Sequence, residues 1–152
     1  MSEQFVYVTY IRTTPEKLWD ALIKPEFTRR YWSEVWQDCA WTVGAEWKLM
    51  TPDGRVADSG EVLEFDRPKR LAVSWQNHLF PAVEAEGHSR ATFELEPLGD
   101  MVKLTLTHAF KTADSELYKG VSGGWPMILA SLKSMLETGE SLAATRKWPQ
   151  GV

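Results

Sequence analysis

The sequence predicts an α+β fold: a curved antiparallel sheet of about six to seven strands around one long C-terminal helix, with two short helices after the first strand. Three observations predict it. Trp125, Ile128, Leu129, Leu132, Met135 and Leu136 recur at helical spacing just before Gly139. Upstream, Trp47 and Leu49, then Leu71, Val73 and Trp75, then Ala91, Phe93 and Leu95, then Val102, Leu104, Leu106, His108 and Phe110 alternate with mostly polar residues. That is the period of strands with one dry face. The connections are hairpin-short, as at Pro52-Asp53-Gly54 and Leu98-Gly99-Asp100, which makes neighbouring strands antiparallel. Burying the helix's large side chains at roughly 1.5–3 kcal/mol each rivals a domain's whole net stability, so the helix must lie on the sheet.

Residues 5–12 read as the first strand, with both faces apolar, so alternation does not choose the inner one. Thr14 before Pro15 makes an N-cap and first-turn pair, and Thr13 with Glu16 offers a capping box. Leu18, Trp19, Leu22 and Ile23 form that helix's stripe, Pro25 ends it, and residues 25–32 read as a second short helix. Strands follow at 35–41, 46–51, 56–65 (with Gly60 read as a bulge), 71–76, 91–96 and 102–110. Residues 77–88 read as irregular, and 111–121 as a connection, partly helical around 115–119. The long helix is placed to start between Ser122 and Trp125, with Ser122 as cap and Pro126 in the first turn. Gly123-Gly124 is then a turn that lets it approach the sheet, and Gly139 is a left-handed C-cap. Residues 1–142 form a single domain, and 143–152 a loosely held tail in which Trp148 reads as a surface or partner contact.

Composition narrows the function classes. With 17 Lys and Arg against 21 Asp and Glu, the net charge is −4, which disfavours a nucleic-acid surface. No apolar run is long enough for a membrane span, and no secretory leader is visible. One cysteine, Cys39, forbids an internal disulfide, and together these features predict a cytoplasmic protein. Eight tryptophans stand out and call for either a heavy aromatic core or an aromatic-lined cavity.

Several segments carry a family resemblance. They are Thr14-Pro15-Glu16-Lys17-Leu18-Trp19-Asp20-Ala21-Leu22, and Pro52-Asp53-Gly54 with Gly60-Glu61-Val62-Leu63-Glu64. Next come Arg67-Pro68-Lys69-Arg70-Leu71 with Trp75, and Leu104-Thr105-Leu106-Thr107-His108. The last runs from Gly123-Gly124-Trp125-Pro126 to Gly139. Over residues 6–142 the chain resembles the START-like (SRPBCC) superfamily of helix-grip folds. Within it, the chain is similar to the family named for the C-terminal domain of the activator of heat-shock protein 90 ATPase. The resemblance implies a cavity between sheet and C-terminal helix that holds apolar or amphipathic small molecules. It implies no shared catalytic signature. The eukaryotic chaperone activators carry an N-terminal domain that contacts the chaperone, for which these residues leave no room, which weighs against chaperone activation.

The candidate chemistry is sparse. His108 shares the inward face of its strand, where it is either a satisfied structural imidazole or a general acid–base or ligand-orienting group. The histidines show no ligand spacing and Cys39 is isolated, so no metal site and no cofactor are expected. Asp38 beside Cys39 disfavours a thiolate, and Glu84 and Glu86 read as a solvated loop. Trp75, Phe93, His108 and Trp125 fall on the inward sets of their elements and are expected around one cavity, with Leu129 from the helix and Trp47 and Phe80 nearer the rim. Three functions stay open: a binding protein for an apolar or amphipathic small molecule, a small cyclase, hydratase or hydrolase using His108, and a chaperone-associated domain. A homodimer is compatible with each.

Overall fold

A computed structural model describes residues 3–112 and 114–152. The chain runs β1 (Glu3–Ile11), α1 (Pro15–Ile23), α2 (Pro25–Tyr31), β2 (Trp36–Cys39), β3 (Glu46–Met50), β4 (Val56–Asp66) and β5 (Arg70–Asn77). It continues with α3 (Pro81–Glu84), β6 (Ser89–Leu98), β7 (Met101–Phe110), α4 (Glu116–Thr138) and a 3-10 turn (Ala143–Thr145). The strands form one seven-stranded antiparallel sheet in the order β1-β7-β6-β5-β4-β3-β2. Every neighbouring pair is sequential except β1–β7, so the chain's first strand closes against its last.

Alternation sets the faces. In β7, Val102, Leu104, Leu106, His108 and Phe110 are all buried while the residues between them are less so. β1 turns Phe5, Tyr7 and Ile11 inward and leaves Val6, Val8 and Tyr10 exposed, which resolves the ambiguity of a strand apolar on both faces. Trp125, Leu129, Leu132 and Met135 of α4 lie buried in the same core, together with Leu18, Trp19 and Leu22 of α1. Thr14 caps α1 by accepting from Lys17 N at 3.3 Å, with Pro15 in the first turn. Gly139 closes α4 in the left-handed conformation, its N–H donating to Met135 O at 2.9 Å.

Four local expectations are corrected. The long helix begins at Glu116, not after Ser122, and its cap is Ser115, whose Oγ accepts from Tyr118 N at 3.1 Å. Gly123 and Gly124 are therefore interior helical residues, and Pro126 stands mid-helix. Gly60 is not a bulge: the register shifts fall at Leu49/Met50 and Val62/Glu64. Gly60 is needed for close approach, since a Cβ there would sit 1.9 Å from Ser74 O.

The tail is not loose. Ser33 N donates to Thr145 O at 2.7 Å and Trp148 N to Glu34 Oε1 at 3.1 Å, and Trp148 packs against the core. In the segment between β5 and β6, both carboxylates have partners. Glu84 bonds His78, and Glu86 accepts from Ser115 Oγ and Glu116 N, each at 2.6 Å. A carboxylate on the first turn of α4 complements the helix dipole and ties this segment to the helix start.

Candidate functional site

The N-terminal half of α4 reaches the sheet through Tyr118, edge-on to Phe110 at 5.6 Å, and Trp125, edge-on to Phe93 at 5.8 Å, but not through the glycines between them. Gly120 and Gly124, one helical turn apart, present no side chain, and a Cβ added at either meets nothing within 4 Å. The space they leave is a cavity of about 310 Å³. Its floor comes from β3, β4 and β5 through Leu49, Ala57, Asp58, Trp75 and Asn77. Trp32, Ser33 and Val35 supply the wall after α2. α3 contributes Phe80 and Val83, α4 contributes Leu117, Val121, Trp125 and Ile128 with Glu116 at its start, and the tail contributes Trp148 and Pro149.

Three of the indoles form a continuous surface. The Trp32 ring lies 6.2 Å from that of Trp75 and 5.3 Å from that of Trp125, and Trp75 meets Trp125 edge-on at 5.5 Å. Ser33 and Glu34, in the turn that carries Trp32, both have left-handed backbones, with φ of 50° and 65°. Such residues cost of order 1–3 kcal/mol each and persist only where surrounding contacts hold them. Here the bonds from Ser33 N and to Glu34 Oε1 bind the turn to the tail.

The polar centre of the cavity is Asp58, which sequence reasoning missed. It is only 6% exposed. Trp75 Nε1 donates to its Oδ1 at 2.8 Å and Asn77 Nδ2 to the same oxygen at 3.0 Å. The Asn77 amide is oriented by its other end, whose Oδ1 accepts from Leu79 N and Phe80 N at 3.0 and 3.1 Å. Burial pushes the Asp58 carboxyl up to about 6, against the smaller downward pull of Asn77, Trp75 and nearby His78. The available signal was strand parity, because Asp58 shares its face with Gly60 and Val62 on the strand next to Trp75.

Of the residues expected in the site, Trp75, Trp125 and Phe80 border the cavity, Phe80 at an exposed rim position. Trp47, Phe93, His108 and Leu129 are not among its lining residues. Trp47 is fully buried behind Trp75 at 4.5 Å, its indole N–H donating to Gln37 Oε1 at 2.9 Å. Phe93 lies edge-on against Trp125 at 5.8 Å. His108 is completely buried between Ser89 and Trp125, and burial lowers its pKa to about 3.

Two further groups lie outside the cavity. Ser59 Oγ meets His78 Nε2 at 2.6 Å and His78 Nδ1 meets Glu84 Oε2 at 2.8 Å. With Gln76 Nε2 donating to Glu84 O at 2.9 Å, this chain of contacts fastens α3 to β4 and β5 and so sets the rim. The Cys39 thiol is held above its ordinary pKa by burial and by Asp38, and accepts from Trp41 N. Among the described residues, no three His, Cys, Asp or Glu side chains gather as a metal set, and no helix is long and apolar enough to cross a membrane.

Comparison with known proteins agrees with this architecture. The model of the family "Activator of Hsp90 ATPase homolog 1-like protein" matches residues 12–137. No curated protein matches the sequence. Among solved structures, protein MLL2253 from Mesorhizobium loti is 28% identical with a TM-score of 0.75, over 88% of this chain and 96% of that one. The Aha1 dimer from Colwellia psychrerythraea is 19% identical with a TM-score of 0.74, over 91% and 99% of the two chains. CalU16 from Micromonospora echinospora is 21% identical with a TM-score of 0.69, over 84% and 72%. With a helix-grip fold and a family match over most of its length, the chain belongs to the activator of Hsp90 ATPase homolog 1-like family.

Proposed function

We propose that this protein binds an amphipathic small molecule in the cavity between the sheet and α4. The observation that carries this reading is the pair Gly120 and Gly124, which hold an indole-walled space of about 310 Å³ open beneath a helix that is otherwise well packed. Ligand sites are mostly apolar with a few placed polar groups, and here the placed group is Asp58. His108 serves the core in this reading, because its ring nitrogens are occupied by Ser89 and Trp125.

The test is titration with a neutral apolar fluorophore such as N-phenylnaphthylamine, read by energy transfer from the tryptophans. Saturable binding at one site per chain is expected. Its absence at millimolar probe, or a crystal structure in which side chains fill the cavity, overturns the reading.

One observation favours a second reading, acid–base catalysis in the same cavity. Asp58 is a buried carboxylate with its pKa raised to about 6, which suits proton transfer near neutral pH. Under that reading Asp58→Asn cuts turnover by about a hundredfold or more, while His108→Gln acts through stability.

A further inference from the structure

The charges around the cavity say what kind of molecule it takes, given that it binds one. Both internal donors to Asp58, Trp75 Nε1 and Asn77 Nδ2, converge on Oδ1. Oδ2 has no hydrogen-bond partner among the described residues, although the side chain is more than nine-tenths buried and borders the cavity. Oδ2 is not sealed among core atoms but opens onto the cavity, so a donor on a bound molecule can reach it in place of solvent. The other charged residue at the cavity is Glu116, an acid paired with Lys119 at 3.1 Å, and no Lys, Arg or His lines the cavity among the described residues. The neighbouring His78 is already engaged by Ser59 and Glu84. Trp32, Trp75, Trp125 and Trp148 add indole surface, which attracts cations through its π face.

A fatty acid or other organic anion would place a second negative charge beside Asp58 with no cation to offset it. An alcohol would satisfy Oδ2 but leave the charge uncompensated. We infer that the cavity selects an organic cation: a protonated amine on an apolar or aromatic body, its N–H donating to Asp58 Oδ2 and its body lying against the indoles. This inference rests on the small-molecule reading and adds the ligand's charge and the residue that reads it.

A matched set of probes separates the two. Naphthylmethylamine, naphthylmethanol and naphthoic acid share one ring system and differ in the polar group. Their binding to the whole protein is followed by tryptophan quenching and calorimetry. At slightly alkaline pH the amine should bind about tenfold or more tighter than the alcohol, and the acid weakest. Asp58→Asn, which keeps the side chain's shape, should bring amine and alcohol to within about threefold. Wild-type protein supplies an arm that needs no variant. Lowering the pH below the Asp58 pKa of about 6 should shrink the amine's advantage while its own charge is unchanged. Acid binding as tightly as amine, or an amine preference that survives both Asp58→Asn and acidification, overturns the cation assignment while leaving a ligand cavity. Failure of all three probes to bind at millimolar concentration overturns the cavity reading and this inference together.

Discussion

Trp125 of α4 donates its indole N–H to Nδ1 of His108 on β7 at 3.1 Å, and this contact fixes the imidazole's protonation state. Nδ1 must be the bare nitrogen to accept. The neutral ring then carries its proton on Nε2, which donates to Ser89 Oγ at 2.7 Å, and Ser89 Oγ donates to Trp75 O at 3.1 Å. Every donor in the relay has an acceptor, and the relay joins α4, β7, β6 and β5. Protonating Nδ1 would set two N–H groups against each other.

His108→Ala should therefore cost stability. It strands the Trp125 N–H, takes from Ser89 Oγ the donor it accepts from and opens a void, for a loss of about 2–4 kcal/mol. The amine preference in the cavity should persist in whatever fraction folds. Chemical denaturation alongside probe titration checks this. A variant of wild-type stability that has lost ligand selectivity would return His108 to the binding site.

The pH dependence of stability should show two buried groups working against each other. His108 titrates at about 3 when folded against 6.5 ordinarily, so between these values unfolding takes up a proton and stability falls as pH falls. Asp58 titrates at about 6 when folded against 3.8 ordinarily, so between those values folding holds the extra proton and stability rises as pH falls. Across the shared window the two contributions offset. Asp58→Asn removes only the second. The variant should lose about 1.4 kcal/mol per pH unit relative to wild type across that window, and at neutral pH it should be at least as stable as wild type. Urea melts at several pH values test this, and parallel pH profiles for variant and wild type would refute it.

The turn that carries Trp32 offers a separate test. Ser33 sits at φ 50°, and its N–H bond to Thr145 O is a backbone contact that survives substitution. Glycine relieves the left-handed strain at some entropic cost, so Ser33→Gly should stabilise by about 0.5–1 kcal/mol, or about 2–4 °C in Tm. A lowered Tm would show that the serine side chain supports the turn in a way its backbone geometry does not reveal.

Much of the fold was legible because it is written in periods. The alternation in β7 and the spacing from Trp125 to Leu136 follow directly from burial. The first half of α4 was hidden by its composition. Gly120, Gly123, Gly124 and Pro126 are poor helix formers, and Pro126 imitates a first turn. The countersignal was the run Leu117, Val121, Trp125, which continues the inner face four residues at a time. The cavity was half legible. Alternation sends Trp75, Phe93 and His108 inward, but whether an inward residue meets a void or a neighbour depends on packing. Asp58 passed unnoticed because an acid inside a strand reads as solvent-facing until its parity with Val62 is counted. The tail docks through backbone groups at Thr145 and Trp148, which leave no periodic trace.

The glycines of α4 give the most direct test of the cavity. Gly123 does not border it, and a Cβ there meets nothing within 4 Å. Gly123→Ala should therefore gain about 0.5–1 kcal/mol of helix stability and leave probe binding unchanged. Gly124 does border the cavity, with the same freedom around its Cβ. Gly124→Leu gains a similar helix propensity but sends an isobutyl group into the cavity bordered by Trp32, Trp75 and Trp125. Because the void is already open, the new side chain has room without displacing Trp32 or Trp75, and it buries apolar area worth about 1.5–3 kcal/mol at most. Stability should rise while neutral and cationic probes alike lose about tenfold or more in affinity. That combination separates a ligand cavity from ordinary core, where a large substitution costs stability through overpacking. If Gly124→Leu destabilises the protein, the space beneath α4 is smaller than its glycines suggest. If the variant is stabilised yet binds the probes as wild type does, the ligand site lies elsewhere.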